Sequence, residues 1–133
     1  MGTRSLTHVF EKSEDKLTEI LCIYRQYDGY PSGVGKDYAE FLNGFEIVNG
    51  FGLDRDKLAN GAGCLAAQLI KNIKKGVGNV YIYPIASEGC GEDYTYEIII
   101  EVGKQPIIRI FEYERKLIFE GAAKDLLSKV EEL

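Results

Sequence analysis

The sequence predicts an α+β fold, in which helices cover a mainly antiparallel sheet of about five to six strands. Strand-like runs rich in β-branched and aromatic residues gather at the start and in the second half of the chain, with few long crossovers between them. Helical apolar spacing occurs in the middle and at the end, which predicts an amphipathic C-terminal helix. At 133 residues, the chain 1–133 is expected to form a single domain.

The first two strands are predicted to form a hairpin. The run TRSLTHVFE alternates, so that Leu6 and Thr7 point to opposite sides, as in a strand. The polar interval KSEDK turns the chain, and the apolar run LTEILCIYRQY then returns. Together these runs predict two antiparallel neighbours.

Two helices are predicted in the middle of the chain. KDYAEFL has the pattern of a short amphipathic helix, and FEIVNGFG is expected to be an extended connection or a minor strand. A longer helix is predicted from apolar residues at helical spacing: Leu58, Ala62, Leu65, Ala66, Leu69 and Ile73. Gly61 and Gly63 in its first turns indicate either a close backbone approach or a later helix start.

The second half of the chain predicts an antiparallel meander. Four strand-like runs follow one another, joined by short turns: VYIYPIA, TYEIIIEV, PIIRIFEY and RKLIFEG. The final segment AAKDLLSKVEEL has the spacing of an amphipathic helix.

Composition narrows the classes of function. The net charge is −5 and the pI is about 5.0, so a DNA or RNA polymer is a poor partner. No apolar run is long enough for a membrane span or a secretion signal, and we expect an intracellular protein. Three scattered cysteines and a single histidine make structural zinc and a disulfide framework unexpected, and we predict no cofactor and no metal.

Arg109 is the leading candidate for binding an anion. It interrupts the apolar run IIRIF and shares a strand face with Phe111, so its charge needs a partner. That partner is either a carboxylate, such as Glu97 or Glu101, or a bound ligand.

Arg25, Tyr27 and Tyr30 form a second candidate set. If residues 25 and 27 both lie in a strand, the guanidinium and the phenol stand on one face and can grip a phosphate, a ribose diol or a base. The alternative is an ion pair of Arg25 with Asp28 or Asp37.

The glycine-rich segment SGVG nearby does not form a P-loop, because Tyr30 replaces the first glycine and Asp37 replaces the serine or threonine. Its backbone amides remain a candidate anion cradle at a helix N-terminus, with a simple tight turn as the alternative.

Tyrosines supply aromatic surface in the meander. We predict that Tyr81, Tyr83, Tyr94 and Tyr96 crowd its first hairpin, where they serve as core or as a subunit interface. Arg55, just before the long helix, is a further candidate cation.

Catalytic chemistry is not expected. His8 is the only histidine, and no nucleophile elbow accompanies it. The segment SEGCGEDY lacks the ligand spacing of a calcium loop, so we interpret it as an acidic hairpin turn.

Three segments carry a family resemblance. They are MGTRSLTHVF, YRQYDGYPSGVGKDYAEFL and NGAGCLAAQLI. Their order and spacing resemble those of the phage-associated Thoeris anti-defense sponges of the first-described type. The likeness covers most of the chain, and the second segment is the most specific.

The resemblance implies a protein that captures a cyclic ADP-ribose isomer without cleaving it, in the host bacterial cytoplasm. It implies a homodimer or higher homo-oligomer with the ligand at the dimer interface, and, in some similar proteins, a separate site for cyclic oligonucleotides. Arg109 with Tyr83 or Tyr81 is then expected at the phosphates and the base, and Arg25, Tyr27, Tyr30 and Arg55 are weaker candidates. A signal-degrading enzyme and a structural or interaction protein of a phage or prophage are the alternatives.

Overall fold

The chain has the predicted α+β fold, built on one six-stranded sheet. The computed structural model describes residues 2–50 and 55–133. The elements are β1 (Ser5–Ser13), β2 (Lys16–Arg25), α1 (Lys36–Leu42), β3 (Glu46–Val48), β4 (Leu58–Asn60), α2 (Gly61–Ile73), β5 (Val80–Tyr83), β6 (Tyr94–Ile100), β7 (Ile107–Glu112), β8 (Lys116–Ala122) and α3 (Ala123–Lys129). A π-helical turn precedes α1, and a 3-10 turn follows α3.

The strand order is β5-β2-β1-β6-β7-β8, and all neighbours are antiparallel except β1 and β6. The predicted β1–β2 hairpin is confirmed, with Leu6 opposite Tyr24. The register shifts between Val9 and Phe10, which marks a β-bulge in this pair. The central strands β1 and β6 run parallel because the chain crosses the sheet between β5 and β6 instead of turning back.

The predicted four-stranded meander is correct for β6, β7 and β8 and wrong for β5. Strand β5 lies at the opposite edge of the sheet, where Tyr81 stands across from Tyr24 of β2. The segment 84–93 is therefore a crossing connection and not an acidic hairpin turn. A tyrosine-rich strand can pair at any free edge, and packing of its rings against Tyr24 favours the β2 edge.

The two faces of the sheet have different coverings. The helix face carries the main core, in which Val9, Ile23, Tyr96, Ile98 and Ile110 pack with buried residues of all three described helices. The opposite face, called the open face below, has a small cluster of its own. In that cluster Leu6, Cys22 and Tyr24 pack with Tyr83 and with Cys90 of the crossing segment.

Helix α2 begins at Gly61, three residues later than the apolar spacing indicated, because residues 58–60 form β4. Gly61 has a φ of +81°, which favours glycine, and among the described residues a Cβ at Gly61 or Gly63 would touch nothing within 4 Å. The glycines thus mark a later helix start and no close approach. In FEIVNGFG, Glu46–Val48 form β3, whereas residues 51–52 lie outside the described ranges.

Helix α1 spans the predicted KDYAEFL, and α3 with its 3-10 turn accounts for the predicted C-terminal helix. Within residues 2–50 and 55–133, no helix is long and apolar enough to cross a membrane.

Candidate functional site

The predicted arginines and the two tyrosines of β5 fall into three separate regions. Arg109 lies on the open face of β7, Tyr81 and Tyr83 lie on the edge strand β5, and Arg25 with Arg55 lines a cleft beside α1 and α2. The fold therefore does not gather all of the candidates in one pocket of a single chain.

The charge of Arg109 is balanced by neighbouring carboxylates. Its Nη1 donates to Oε1 of Glu97 at 2.9 Å. Its Nε lies 3.0 Å from Oε1 of Glu120, an ion pair without the alignment of a hydrogen bond. The guanidinium also lies 5.2 Å from the centre of the Phe111 ring. Of the two partners predicted for Arg109, a carboxylate or a ligand, Glu97 supplies the first.

Arg109 borders a groove of about 610 Å³ on the open face. The groove is lined by Lys12, Asp15, Leu17, Ile99, Glu101, Lys104, Gln105, Ile107, Arg109 and Glu120. Its charged lining has as many carboxylates as cations, and Glu97 lies beside Arg109 as well. The groove is thus a poor attractor of phosphate.

The tyrosines do not crowd one hairpin, because β5 and β6 are not neighbours. Tyr83 stacks on Tyr24 with ring centroids 4.9 Å apart, and the Tyr81 ring lies 6.1 Å from Tyr24. Tyr96 lies in the core on the helix face, where its hydroxyl donates to the Gly29 carbonyl at 2.7 Å. Burial raises the pKa of Tyr96, which keeps the phenol neutral.

Arg25 and Tyr27 do not share a strand face, because β2 ends at Arg25. The backbone amide of Tyr27 donates to Oδ1 of Asn79 at 3.1 Å, and the Tyr27 ring is 51% exposed. The hydroxyl of Tyr30 donates to Oδ1 of Asp28 at 3.2 Å. Both tyrosines are thus exposed in the turn after β2, and neither lines a cavity with Arg25.

Amides of the glycine-rich segment are already used by the fold. A π-helical turn, Pro31–Gly35, runs directly into α1. Within it, the Gly33 amide donates to the Tyr30 carbonyl at 2.9 Å and the Val34 amide donates to the Asp28 carbonyl at 2.8 Å. The tight-turn interpretation therefore describes this segment better than an anion cradle does.

Arg25 is the least compensated charge of the predicted set. Its residue is 6% exposed, and its guanidinium carbon lies 5.6 Å from the centre of the Tyr38 ring. Its Nη2 lies 3.9 Å from Oδ2 of Asp37, and among the described residues its Nε and Nη1 have no hydrogen-bond partner. An arginine stays charged when buried, so this guanidinium leaves a positive potential at the adjoining cavity.

Arg25 lines a cavity of about 520 Å³ that adjoins a second cavity of about 850 Å³, and we call the two together the α1–α2 cleft. The cleft is lined by Arg25, Asp37, Glu40, Phe41, Phe45, Arg55, Asp56, Lys57, Gln68, Lys71, Asn72, Ile73, Lys75 and Asn79. Five of these side chains are cationic and three are acidic, in a protein whose net charge is −5. The cleft is thus a local positive site on an acidic molecule.

Lys57 is held in place at the centre of the cleft. Its Nζ donates to the Glu40 and Phe41 carbonyls at the end of α1. The ammonium lies 5.7 Å from the Phe41 ring centre and 5.5 Å from that of Phe45. The backbone at Lys57 has a φ of 61°, which is rare outside glycine. These contacts place a fixed cation beside two aromatic rings.

Arg55 at the rim of the cleft is about half-exposed and pairs with Glu46. Its Nη1 also donates to the Asp56 carbonyl at 3.2 Å. Since a carboxylate already binds Arg55, it adds less positive potential to the cleft than Arg25 does.

Sequence reasoning missed the lysines of the cleft. Lys71 lies in the last turn of α2 and Lys75 lies just beyond its end, a pattern that indicates a solvated helix terminus. Only the tertiary fold, which places α1 and α2 on the same cavities, brings them near Arg25. The usable signal was the concentration of lysines in the segment KNIKKG, immediately before the edge strand.

A separate group of metal-ligating side chains lies on the open face. His8, Glu19 and Cys22 have ligand atoms within 4.8 Å of one another, and Nδ1 of His8 is 2.7 Å from Oε2 of Glu19. Cys22 is fully buried, and burial raises the pKa of its thiol to about 11. A covered, protonated thiol is not poised as a nucleophile.

Comparison with known proteins leaves the sequence resemblance without further support. No family model matches the chain, and neither a curated protein nor a solved structure matches it.

Proposed function

We propose that the protein sequesters a small cyclic nucleotide signal of the cyclic ADP-ribose type, by binding it without cleaving it. The observation that carries this proposal is the buried Arg25 guanidinium, which has one carboxylate at 3.9 Å and two nitrogens with no partner among the described residues. A phosphate beside its Nη2 would supply the missing counter-charge.

The α1–α2 cleft offers what a nucleotide needs. Lys57, Lys71 and Lys75 add positive charge, the partly buried Phe41 offers aromatic surface to a base, and amides such as Asn72 can bond to base edges or ribose hydroxyls. The two cavities have volumes typical of small-molecule sites. The same cleft chemistry would accept a cyclic oligonucleotide, which stays a secondary expectation.

Binding without cleavage is favoured by the burial of Cys22, a thiol that lies beside His8 and Glu19 in the part of the chain that the structure describes. Cys22 lies within 4.8 Å of His8 and Glu19, yet it is 0% exposed and lies on the sheet face opposite the core helices. A ligand in the α1–α2 cleft therefore cannot reach it. A sponge in the cytoplasm of an infected host needs no such chemistry.

We further propose a homodimer or higher oligomer. Within the described ranges, β5 pairs with no strand on its outer side, and it presents Ile82, which is 60% exposed, and Tyr81, which is 43% exposed. Exposed apolar groups on an edge strand favour association with another chain. An interface there would bring the tyrosines of two copies together and would enlarge the aromatic surface.

The direct test is ligand capture and release. Cyclic ADP-ribose isomers are incubated with excess protein, the protein-free filtrate is analysed by chromatography with mass detection, and the complex is then heated. We expect depletion of one isomer and its recovery intact. Recovery of a hydrolysed product would favour the signal-degrading enzyme, and no depletion would favour a structural or interaction protein.

Matched charge reversals test the cleft itself. Lys75→Glu introduces a carboxylate into the cleft, whereas Lys129→Glu makes the same change on exposed α3. We expect Lys75→Glu to weaken capture at least tenfold, about 1.4 kcal/mol, because like charges are placed together. Equal capture by both variants would exclude the cleft as the phosphate site.

A further inference from the structure

A buried trio of different donor atoms lies on the open face, away from the α1–α2 cleft. His8 of β1 stands opposite Cys22 of β2, and Glu19 precedes Cys22 by three residues. Three residues apart in a regular strand, two side chains would point to opposite faces. The β-bulge beside Val9 shifts the register, so that Glu19 pairs with Phe10 and points to the same face as His8.

The trio is covered by the fold. Cys22 is 0% exposed, and the side chains of His8 and Glu19 are 10% and 11% exposed. The crossing segment lies over them, where the amide of Ala86 donates to Oε1 of Glu19 at 2.9 Å. The group is therefore an enclosed cluster, unlike the exposed acidic groups that are common on protein surfaces.

We propose that His8, Glu19 and Cys22 bind a zinc ion. Nitrogen, carboxylate oxygen and thiolate sulfur are the three donor types that tetrahedral zinc takes in proteins, whereas calcium and magnesium take oxygen. The Cys22 thiol, protonated in the metal-free protein, would release its proton to solvent when it binds zinc. Zinc bonds of about 2.0–2.3 Å place tetrahedral ligands about 3.3–3.8 Å apart. The three atoms already lie within 4.8 Å, so small side-chain shifts bring them to that distance.

The rival account is structural. In it, the His8–Glu19 hydrogen bond of 2.7 Å satisfies both polar groups, and Cys22 packs as a small apolar residue against Leu6 and Tyr24. That account predicts no metal affinity. A zinc ion would instead tie β1 to β2 and would make the hairpin harder to open.

Cobalt substitution tests the site through its own spectrum. The metal-free full chain is titrated with Co²⁺, and thiolate-to-cobalt absorption is followed before and after competition with Zn²⁺. Cys90 packs against the apolar cluster of Leu6, Cys22 and Tyr24, and Cys64 is exposed, so either could also bind cobalt. The Cys64→Ser/Cys90→Ser double variant removes both and leaves Cys22 as the sole thiol. We expect one equivalent of Co²⁺ in the wild type and in the double variant, displaced by Zn²⁺, and no thiolate band in Cys22→Ser.

Two results would overturn the proposal. One is the lack of a thiolate band and of zinc retention in the wild type at micromolar metal. The other is a band that persists in Cys22→Ser and disappears in the double variant. If circular dichroism shows that Cys22→Ser does not fold, Glu19→Gln decides, with at least a tenfold loss of metal affinity expected and unchanged affinity contradicting the site. Nucleotide capture is measured separately, so either proposal can fail alone.

Discussion

Nη2 of Arg25 lies 3.9 Å from Oδ2 of Asp37, and the two partners of this ion pair differ strongly in burial. The arginine side chain is 8% exposed and the aspartate side chain is 56% exposed. Water screens the exposed partner, so the pair is weak and the buried charge keeps most of its capacity to attract a second anion.

Asp37→Asn should therefore strengthen ligand capture. The change removes a competing carboxylate from the cleft and leaves Arg25 in place. Because the carboxylate of this ion pair is exposed and the pair is weak, we expect a gain of up to about fivefold in affinity. Calorimetry with the captured nucleotide measures it, and Glu131→Gln, at the exposed C-terminal turn, is the control. A weaker complex for Asp37→Asn would mean that Asp37 itself holds the ligand.

Arg109→Ala should leave ligand capture within about twofold of the wild type if the cleft holds the phosphates, because Glu97 and Glu120 already bind this arginine. The same change should lower the free energy of unfolding by about 1–2 kcal/mol, since it leaves Glu97 without its partner. Denaturant melts and capture assays of one preparation check both. Lost capture with an unchanged melt would move the ligand to the open-face groove.

Tyr38→Phe should lower the free energy of unfolding, because it removes a buried hydrogen bond. The Tyr38 hydroxyl lies 2.6 Å from Oγ1 of Thr7, and both groups are fully buried. Removing one partner leaves the other unsatisfied, which costs about 1–3 kcal/mol. Urea unfolding measures the loss, and Tyr113→Phe, at a tyrosine that is 63% exposed, should change stability by less than about 0.5 kcal/mol.

Ile82→Lys should raise the dissociation constant of the proposed oligomer at least about tenfold, because the change places a charge in the β5 contact. Light scattering coupled to size exclusion gives the mass as a function of concentration. Leu117→Lys is the matched control, since Leu117 is exposed on β8 at the other edge of the sheet. Dissociation by Leu117→Lys alone would place the interface at β8.

Local patterns predicted most elements of this chain. Alternation in residues 3–11 indicated β1, helical spacing indicated α1, α2 and α3, and the last three strand-like runs form a meander as expected. The apolar spacing continues back through β4, and of the two interpretations of Gly61 and Gly63 the later helix start is the one observed. These features are set by residues close in sequence, which is why their types and approximate bounds could be read in advance.

The candidate site was harder to predict. Arg109 and the β5 tyrosines were the leading residues by type, and the fold puts them on different strands, with Arg109 beside two carboxylates. Lysines at the end of α2 have the pattern of solvated charge, and they line a cleft only because residues of α1 lie on its other side. Convergence of this kind depends on contacts between distant residues, which a local pattern does not contain.

By itself, the sequence determined the fold class, most elements and the inventory of arginines and tyrosines. Tertiary structure alone decided that VYIY pairs with β2, that β1 and β6 are parallel, and that a bulge turns Glu19 toward His8. It also decided which arginine is neutralised and which remains a buried, poorly paired charge. The physical reason is that strand pairing and charge compensation join residues far apart in sequence, so they depend on the packing of the whole chain.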